Sequence, residues 1–383
     1  MRLIGIELVR VAIPFRSAIG TSVGVHVRRD LLYVRVVTDV GEGWGECAAL
    51  GHATSVDPSV DAVDQAAVAT GVPRILQAAA ARKGELPSST DMVPLFGNTP
   101  SDRMLGATFE MAVRDVALRA MGQSLSQMLD VGEGFESLPV GAAIGIPLDR
   151  DLGVLVEEVD AAVRSGAARI RLKIAPGWDV APARAVRYRH PDLVLQLDAN
   201  GAYDLPDADH LSQLSQLDVL CIEQPMPPAD LVAHAELGKR MDVPICLDES
   251  LSTLRRVQDA IRNRSCRMAC LKPGRLGGIV ATRAAHAACS EAGLAVFVGG
   301  FFETGLARSA NLALAARLAQ DAPGLVSDVS DPSSYLATDP CGYPVVQHGW
   351  VRVPDQPGVG PWPDELELAN LGAHRRWFPA TYT

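Results

Sequence analysis

No apolar run in this sequence approaches the roughly 18–20 residues that cross a bilayer, so no membrane-spanning helix is expected. The opening stretch MRLIGIELVRVAIPF is interrupted by Glu7 and Arg10 and reads as a strand, not as a signal peptide. There is no basic block and no interleaving of basic with aromatic residues. With a net charge of −10, nucleic acid is not an expected partner. The seven cysteines (47, 221, 246, 266, 270, 289 and 341) are odd in number and include no CxxC pair. They read as reduced thiols in a cytoplasm, not as a disulfide framework or a zinc site. GxSxG, Walker and HExxH motifs are all missing. GRLGG follows a Lys-Pro turn and is not a GxGxxG, which leaves no dinucleotide site.

What remains is an ordinary globular composition: 48% hydrophobic and 21% charged over 383 residues, enough for a large core and two domains. The first part reads as α+β. LIGIELVRVAI and LLYVRVVTD are predicted strands, GEGWGECAAL a turn and a strand, and 59–82 and 102–130 helical. VGEGFES reads as a linker. The stretch RSAIGTSVGVHVRRD (16–30) has no clear period and reads as a flexible loop. From about 138 the pattern changes. LPVGAAIGI, RIRLKIA, LVLQLDAN, DVLCIEQP, VPICLDES, RMACLKPG, LAVFVGG and GLVSDVS are short apolar runs, most of them separated by helical stretches. Eight strand candidates at a period of about 25 residues favour a closed β/α barrel over an open sheet. The tail, 340–383, lacks that period and is expected to fold back on the rest of the chain.

The strand ends carry the chemistry. Lys173, Asp198, Glu223, Asp248 and Lys272 follow one another at gaps of 25, 25, 25 and 24. Each sits among apolar neighbours, so by period two the charges point opposite to the helix-packing side, into the mouth where β/α barrels build their sites. A lone Asp at a strand end is often just a surface or salt-bridge residue. Five charges in register are another matter, because barrel interiors are normally apolar layers. Three crowded carboxylates repel unless a cation neutralises them. Oxygen ligands on a rigid scaffold suit Mg²⁺, with Mn²⁺ or another divalent cation as alternatives. Lysines flanking a cation-bound carboxylate substrate form an apparatus for removing the proton α to that carboxylate.

These motifs, KIAPGWD, LDANGAY, IEQP, LDES, LKPGRLGG and GGFFETGLARSANLALA in that order, resemble the enolase superfamily in its muconate-lactonizing branch. Within it the likeness is to the o-succinylbenzoate synthase / N-acylamino acid racemase family. A Lys base with Mg²⁺ stabilising an enediolate is that superfamily's known pattern. The resemblance implies an α/β fold: a modified TIM barrel, (β/α)₇β, over 136–339, with an N-terminal α+β capping domain over 1–135 on which 340–383 packs. It implies Asp198, Glu223 and Asp248 as metal ligands and Lys173 and Lys272 as the acid/base pair. In a racemase one Lys takes the proton and the other returns it. In a water-eliminating synthase Lys173 does the acid/base work and Lys272 stabilises the enediolate. Cycloisomerisation or dehydration of a specialised carboxylate fits the same residues, and a non-catalytic metal-binding homologue is the rival from another class. The expected partner is a small-molecule carboxylate, and the expected assembly a homo-oligomer. Dipeptide epimerisation is disfavoured, since VGGFFETG lacks the Asp-x-Asp of that group.

Several positions depart from the family. Arg171 stands where Lys is usual, giving a permanent cation that either tunes Lys173 or pairs with a carboxylate. Cys270 replaces the usual Asn two residues before Lys272. It shares a layer with Cys221 and Cys246, where small buried hydrophobes are the expected role because neighbouring carboxylates oppose a thiolate, but Cys270 is also a candidate, like Arg171, for tuning the groups of the site. Ala143 replaces Ser, and Phe301 and Phe302 replace Met-Leu. With Glu303 they are candidates for lining the substrate pocket. Asn200 and Glu249, next to expected ligands, are candidates for bonding to the groups that hold the metal.

Overall fold

The computed structural model describes residues 1–21, 24–321 and 325–381. β1 (Leu3–Thr21) and β2 (Gly24–Thr38) form one long antiparallel hairpin, with a single irregularity between Pro14 and Ile19 after its start. β3 (Gly41–Glu46) extends the sheet beyond β2. β14 (His374–Pro379), from the far end of the chain, pairs with β1, so the order is β14-β1-β2-β3. The stretch 16–30, expected to be a loop, is mostly ladder: Ile19 pairs with His26 and Gly20 with Val25. Residues 22–23 of it lie outside the described residues. Main-chain pairing needs no apolar period, which is why composition did not show it. The hairpin is seated on the rest of the molecule by Arg16 N donating to Tyr335 O (2.9 Å) and Ile146 N donating to Gly20 O (3.2 Å).

The helix Pro100–Ala120 lies on β3 because two glycines let it. A Cβ on Gly45 would stand 2.1 Å from Thr108 O, and one on Gly43 2.4 Å from Ala112 O. Its start is fixed by Pro100 in the first turn and a capping box between Thr99 and Asp102. The predicted 102–130 helix stops at Ala120, with Gly122 at φ +64, and a short turn follows at Leu125–Met128. The 59–82 stretch is two α-helices, Val60–Ala66 and Val72–Ala81, around a π-helical turn.

β5 (Gly141–Ile144), β6 (Arg169–Lys173), β7 (Val194–Asp198), β8 (Cys221–Glu223), β9 (Ile245–Leu247), β10 (Met268–Leu271) and β11 (Ala295–Val298) form a parallel sheet in chain order. A separate small sheet joins β4 (Ser137–Pro139), β12 (Val346–Gln347) and β13 (Trp350–Arg352). Outward-facing Ile170, Leu172, Leu195, Leu197, Ile222, Leu247 and Leu271 pack under the helices in one core. Cys221, Cys246, Met268, Cys270 and Phe297 form a second, small cluster. This is the modified TIM barrel with a capping sheet.

GLVSDVS, predicted as an eighth strand, is in no strand over its described part, 325–330; Gly324 lies outside the described residues. The segment follows β11 by two bonds: Asp328 N to Val298 O (2.8 Å) and Val298 N to Ser327 Oγ (3.0 Å). It reaches β6 through the Asp328 carboxylate, which pairs with Arg169 and with Arg171 (2.8 Å). Side-chain ion pairs take the place of a ladder there.

Candidate active site

Lys173, Asp198 and Glu223 are the last residues of β6, β7 and β8. Asp248 and Lys272 directly follow β9 and β10. The register sets Lys173 opposite Asp198, and Asp198 opposite Glu223. The expected five therefore share one rim.

At one side of it, Lys173 Nζ donates to Asp198 Oδ2 (2.6 Å) and Asn200 Oδ1 (2.8 Å), while Asn200 Nδ2 donates to Glu249 Oε1 (2.9 Å). Asn200 turns the chain there at φ +46. The half-buried His26 of β2 stands close enough that the Lys173 charge acts on it. Burial, His52 and then Lys173 all lower the His26 pKa. At the other side, Lys272 Nζ is 2.7 Å from Asp248 Oδ2. Asp248 Oδ1 accepts from Arg275 (2.5 Å), which also donates to both oxygens of Asp57 (2.8 and 2.6 Å). The Phe301 ring covers the pair, its centroid 4.6 Å from Lys272 Nζ and 5.0 Å from Arg275 Cζ.

Glu223 lies between. Arg171 donates to both its oxygens at 3.3 Å, and Gln196 Nε2 donates to Oε2. Arg171 is closest to Asp328, and 3.9 Å from Asp198. Of its two expected roles, pairing with carboxylates is the one found. Burial alone would lower the Arg171 pKa, but Asp328 and Glu223 hold it well above the ordinary value.

The electrostatics of the rim are uneven. Burial pushes the Glu223 carboxyl up to about 8, and Asp198 adds to the effect. Asp248 is as buried, yet Arg275 and Lys272 override that and hold it well below the usual carboxylate range. Lys272 in turn is kept charged by Asp248 against the effect of burial. Burial, then Asp248 and Glu223, push the Cys270 thiol well up. Glu223, Asp248 and Cys270 offer ligand atoms within 4.8 Å of one another. Asp198 is held instead by Lys173. Adjacent carboxylates, one of them lacking enough counter-charge to stay ionised at neutral pH, fit a hard divalent cation, and a protonated thiol beside them does not compete for it.

A family model described as "Enolase C-terminal domain-like" matches residues 154–366, more than half of the chain. The chain belongs to the enolase superfamily. It is 38% identical over 377 residues to N-succinylamino acid racemase of an Amycolatopsis species, covering 97% of this chain and 99% of that one. To o-succinylbenzoate synthase of Geobacillus stearothermophilus it is 34% identical over 371 residues, covering 96% and 95%. Among solved structures, an enolase-superfamily member from Listeria innocua matches with a TM-score of 0.89 at 28% identity over 100% of both chains. This superfamily member is thus an enzyme of the lyase and isomerase kind, and its rim fits the superfamily's abstraction of a proton α to a carboxylate. Superfamily members use a divalent metal, usually Mg²⁺. Among the described residues, no helix is long and apolar enough to cross a membrane.

The pocket candidates separate. Ala143 is exposed on β5, opposite Arg171. Phe301 is buried over Lys272. Phe302, at φ +59, meets Phe15 of the hairpin (5.3 Å) and Tyr335 (5.5 Å) edge to face. Glu303 is fixed by Arg308 (2.9 Å) and Asn311 (3.1 Å).

Sequence reasoning missed Asp57, Arg275, Asp328 and Gly299, while Gln196 was placed only in the layer beneath the site. Gly299 is required by space: a Cβ there would stand 2.4 Å from Cys270 Sγ and 2.9 Å from Lys272 Cε. Arg275 was visible inside LKPGRLGG. Asp57 belongs to no motif, and its partner is 218 residues away.

Proposed function

We propose that this chain racemises N-succinylamino acids by removing the proton α to their carboxylate. The observation that carries the reading is the symmetry of the rim: two lysines at opposite ends of an arc of carboxylates, Lys173 at 2.6 Å from Asp198 and Lys272 at 2.7 Å from Asp248. Racemisation needs a base on each face of the α-carbon, and two lysines at opposite ends of the arc support that reading. Asp198, Glu223 and Asp248 would hold the divalent cation, Mg²⁺ in this reading. Its chemistry there is to neutralise the substrate carboxylate and the electron pair left by deprotonation. The residues do the rest. Lys173 takes or gives the proton on one face and Lys272 on the other. Asn200, bonded to Glu249, orients Lys173. Phe301 excludes water above Lys272.

A second reading, water elimination to o-succinylbenzoate, is favoured by the 34% identical synthase and uses Lys173 as acid/base with Lys272 as a fixed cation. The catalytic domain in this reading is 136–339, with 1–135 and 340–383 as the cap. In this reading the protein is a homo-oligomer, and its seven free cysteines support a reducing, cytoplasmic compartment.

The test is α-proton exchange of N-succinylamino acids in deuterated water, followed by NMR with Mg²⁺ and after chelation. Metal-dependent exchange of both enantiomers is expected. No exchange with any N-succinylamino acid overturns the racemase reading. Synthase turnover without exchange of either enantiomer leaves the second reading in its place.

A further inference from the structure

Cys270 lies on the inner face of β10, two residues before Lys272, and therefore points the same way one layer deeper. Its Sγ is within 4.8 Å of a Glu223 oxygen and an Asp248 oxygen. Gly299, which has no side chain, leaves it the space it occupies. Below it the floor is soft: Cys221, Cys246, Met268 and Phe297 cluster with it, out of solvent. The structure thus places a sulfur donor in the same cluster as two carboxylates.

We propose that the metal centre of this chain is a mixed oxygen–sulfur centre, in which Cys270 Sγ joins Glu223 and Asp248 as a ligand whenever a borderline-soft divalent cation such as Co²⁺ or Zn²⁺ occupies it. The inference rests on the reading of Glu223 and Asp248 as metal ligands. Distance permits it. Metal–sulfur bonds of about 2.3 Å and metal–oxygen bonds of about 2.0–2.2 Å set ligand separations of up to about 4.5 Å. A tetrahedral site needs separations of about 3.6 Å, so donor atoms within 4.8 Å of one another close on a cation by shifts of up to about 1 Å. Ligand softness gives the selectivity: thiolate favours Co²⁺ and Zn²⁺, while Mg²⁺ takes oxygen and leaves the thiol protonated. On ligation the S–H bond breaks, the sulfur–metal bond forms and one proton leaves to solvent, with no change of oxidation state.

The experiment titrates the metal-free full-length protein with Co²⁺ and follows the thiolate-to-cobalt charge-transfer band in the near ultraviolet. Wild type is expected to show the band. Cys270→Ser should lose it, with Co²⁺ affinity down at least about tenfold, while Cys246→Ser should retain it. Co²⁺ bound without the band, or a band that survives Cys270→Ser, overturns the inference. Should Cys270→Ser fail to fold, cadmium NMR of wild type decides. A resonance displaced far downfield, as sulfur ligation requires, supports the inference, and one in the oxygen-only range overturns it. Mg²⁺-dependent α-proton exchange is measured in parallel. Exchange without sulfur ligation sinks the inference and leaves the proposed function standing. Sulfur ligation without exchange does the reverse.

Discussion

On the β6–β7 side of the rim, Lys173 is held by Asp198 and Asn200, both from the barrel itself. On the β9–β10 side, Lys272 faces Asp248, which is shared with Arg275, and Arg275 is gripped by Asp57 from the segment between β3 and the helix Val60–Ala66. One lysine answers to one carboxylate and one amide. The other belongs to a buried chain of alternating charges, capped by an aromatic ring, that runs out of the barrel into the cap. Groups in such a chain are coupled, because each charge is desolvated and depends on the next. The comparison therefore separates a lysine held by barrel residues from a lysine whose partners reach, through Arg275, to Asp57.

The sharpest way to break it is to remove each lysine. Lys173→Ala and Lys272→Ala should each cost about 10²–10⁴ in the exchange of one enantiomer, and the two should differ in which enantiomer is lost. Separate NMR assays of the two substrates check this. Loss of the same enantiomer in both variants would mean that the lysines do not face each other across the substrate.

Next in size is Asp57→Asn, which leaves the Arg275 guanidinium buried with one partner fewer. Breaking such a pair costs about 3–5 kcal/mol, read from the denaturation midpoint. The exchange assigned to Lys272 should fall more than that assigned to Lys173. Equal falls would show that the cap supports both halves alike.

The smallest effect concerns a second contact between cap and barrel. Glu46 of β3 accepts from Thr304 N (2.9 Å), Thr304 Oγ1 (2.7 Å) and Ala307 N (3.2 Å), at the start of the helix Gly305–Ala319. Burial pushes its carboxyl from 4.5 up to about 7, against the bonds from Thr304 and the charge of Arg29. The folded protein then holds a proton that the unfolded chain has already lost. Stability from this group is full below the ordinary carboxyl range and declines as pH rises to about 7, by about 3 kcal/mol in all. Glu46→Gln should flatten that part of the thermal midpoint's pH profile. An unchanged profile would assign the decline to other groups.

Much of the barrel was legible because its period repeats locally. Alternation within RIRLK and VLQLD fixed which face packs, and the 25-residue spacing brought five charges to one rim. The eighth strand was misread because GLVSDVS has strand-like composition but makes its cross-barrel contacts through Asp328. The hairpin over 16–30 was misread for the opposite reason: its pairing is main-chain, and its composition resembles that of a loop. Arg171 was recognised as a departure, but whether it served Lys173 or a carboxylate was open until Asp328 appeared at 2.8 Å.

The sequence by itself determined the kind of each group and its place on its own strand, since alternation and spacing are properties of neighbouring residues. Only the tertiary structure decided the neighbours: Arg171 paired with Asp328, Arg275 paired with Asp57, and Cys270 set beside Glu223 and Asp248. A charge's partner inside a low-dielectric interior is set by distance through space, and residues 57 and 275 become neighbours only when the chain has folded.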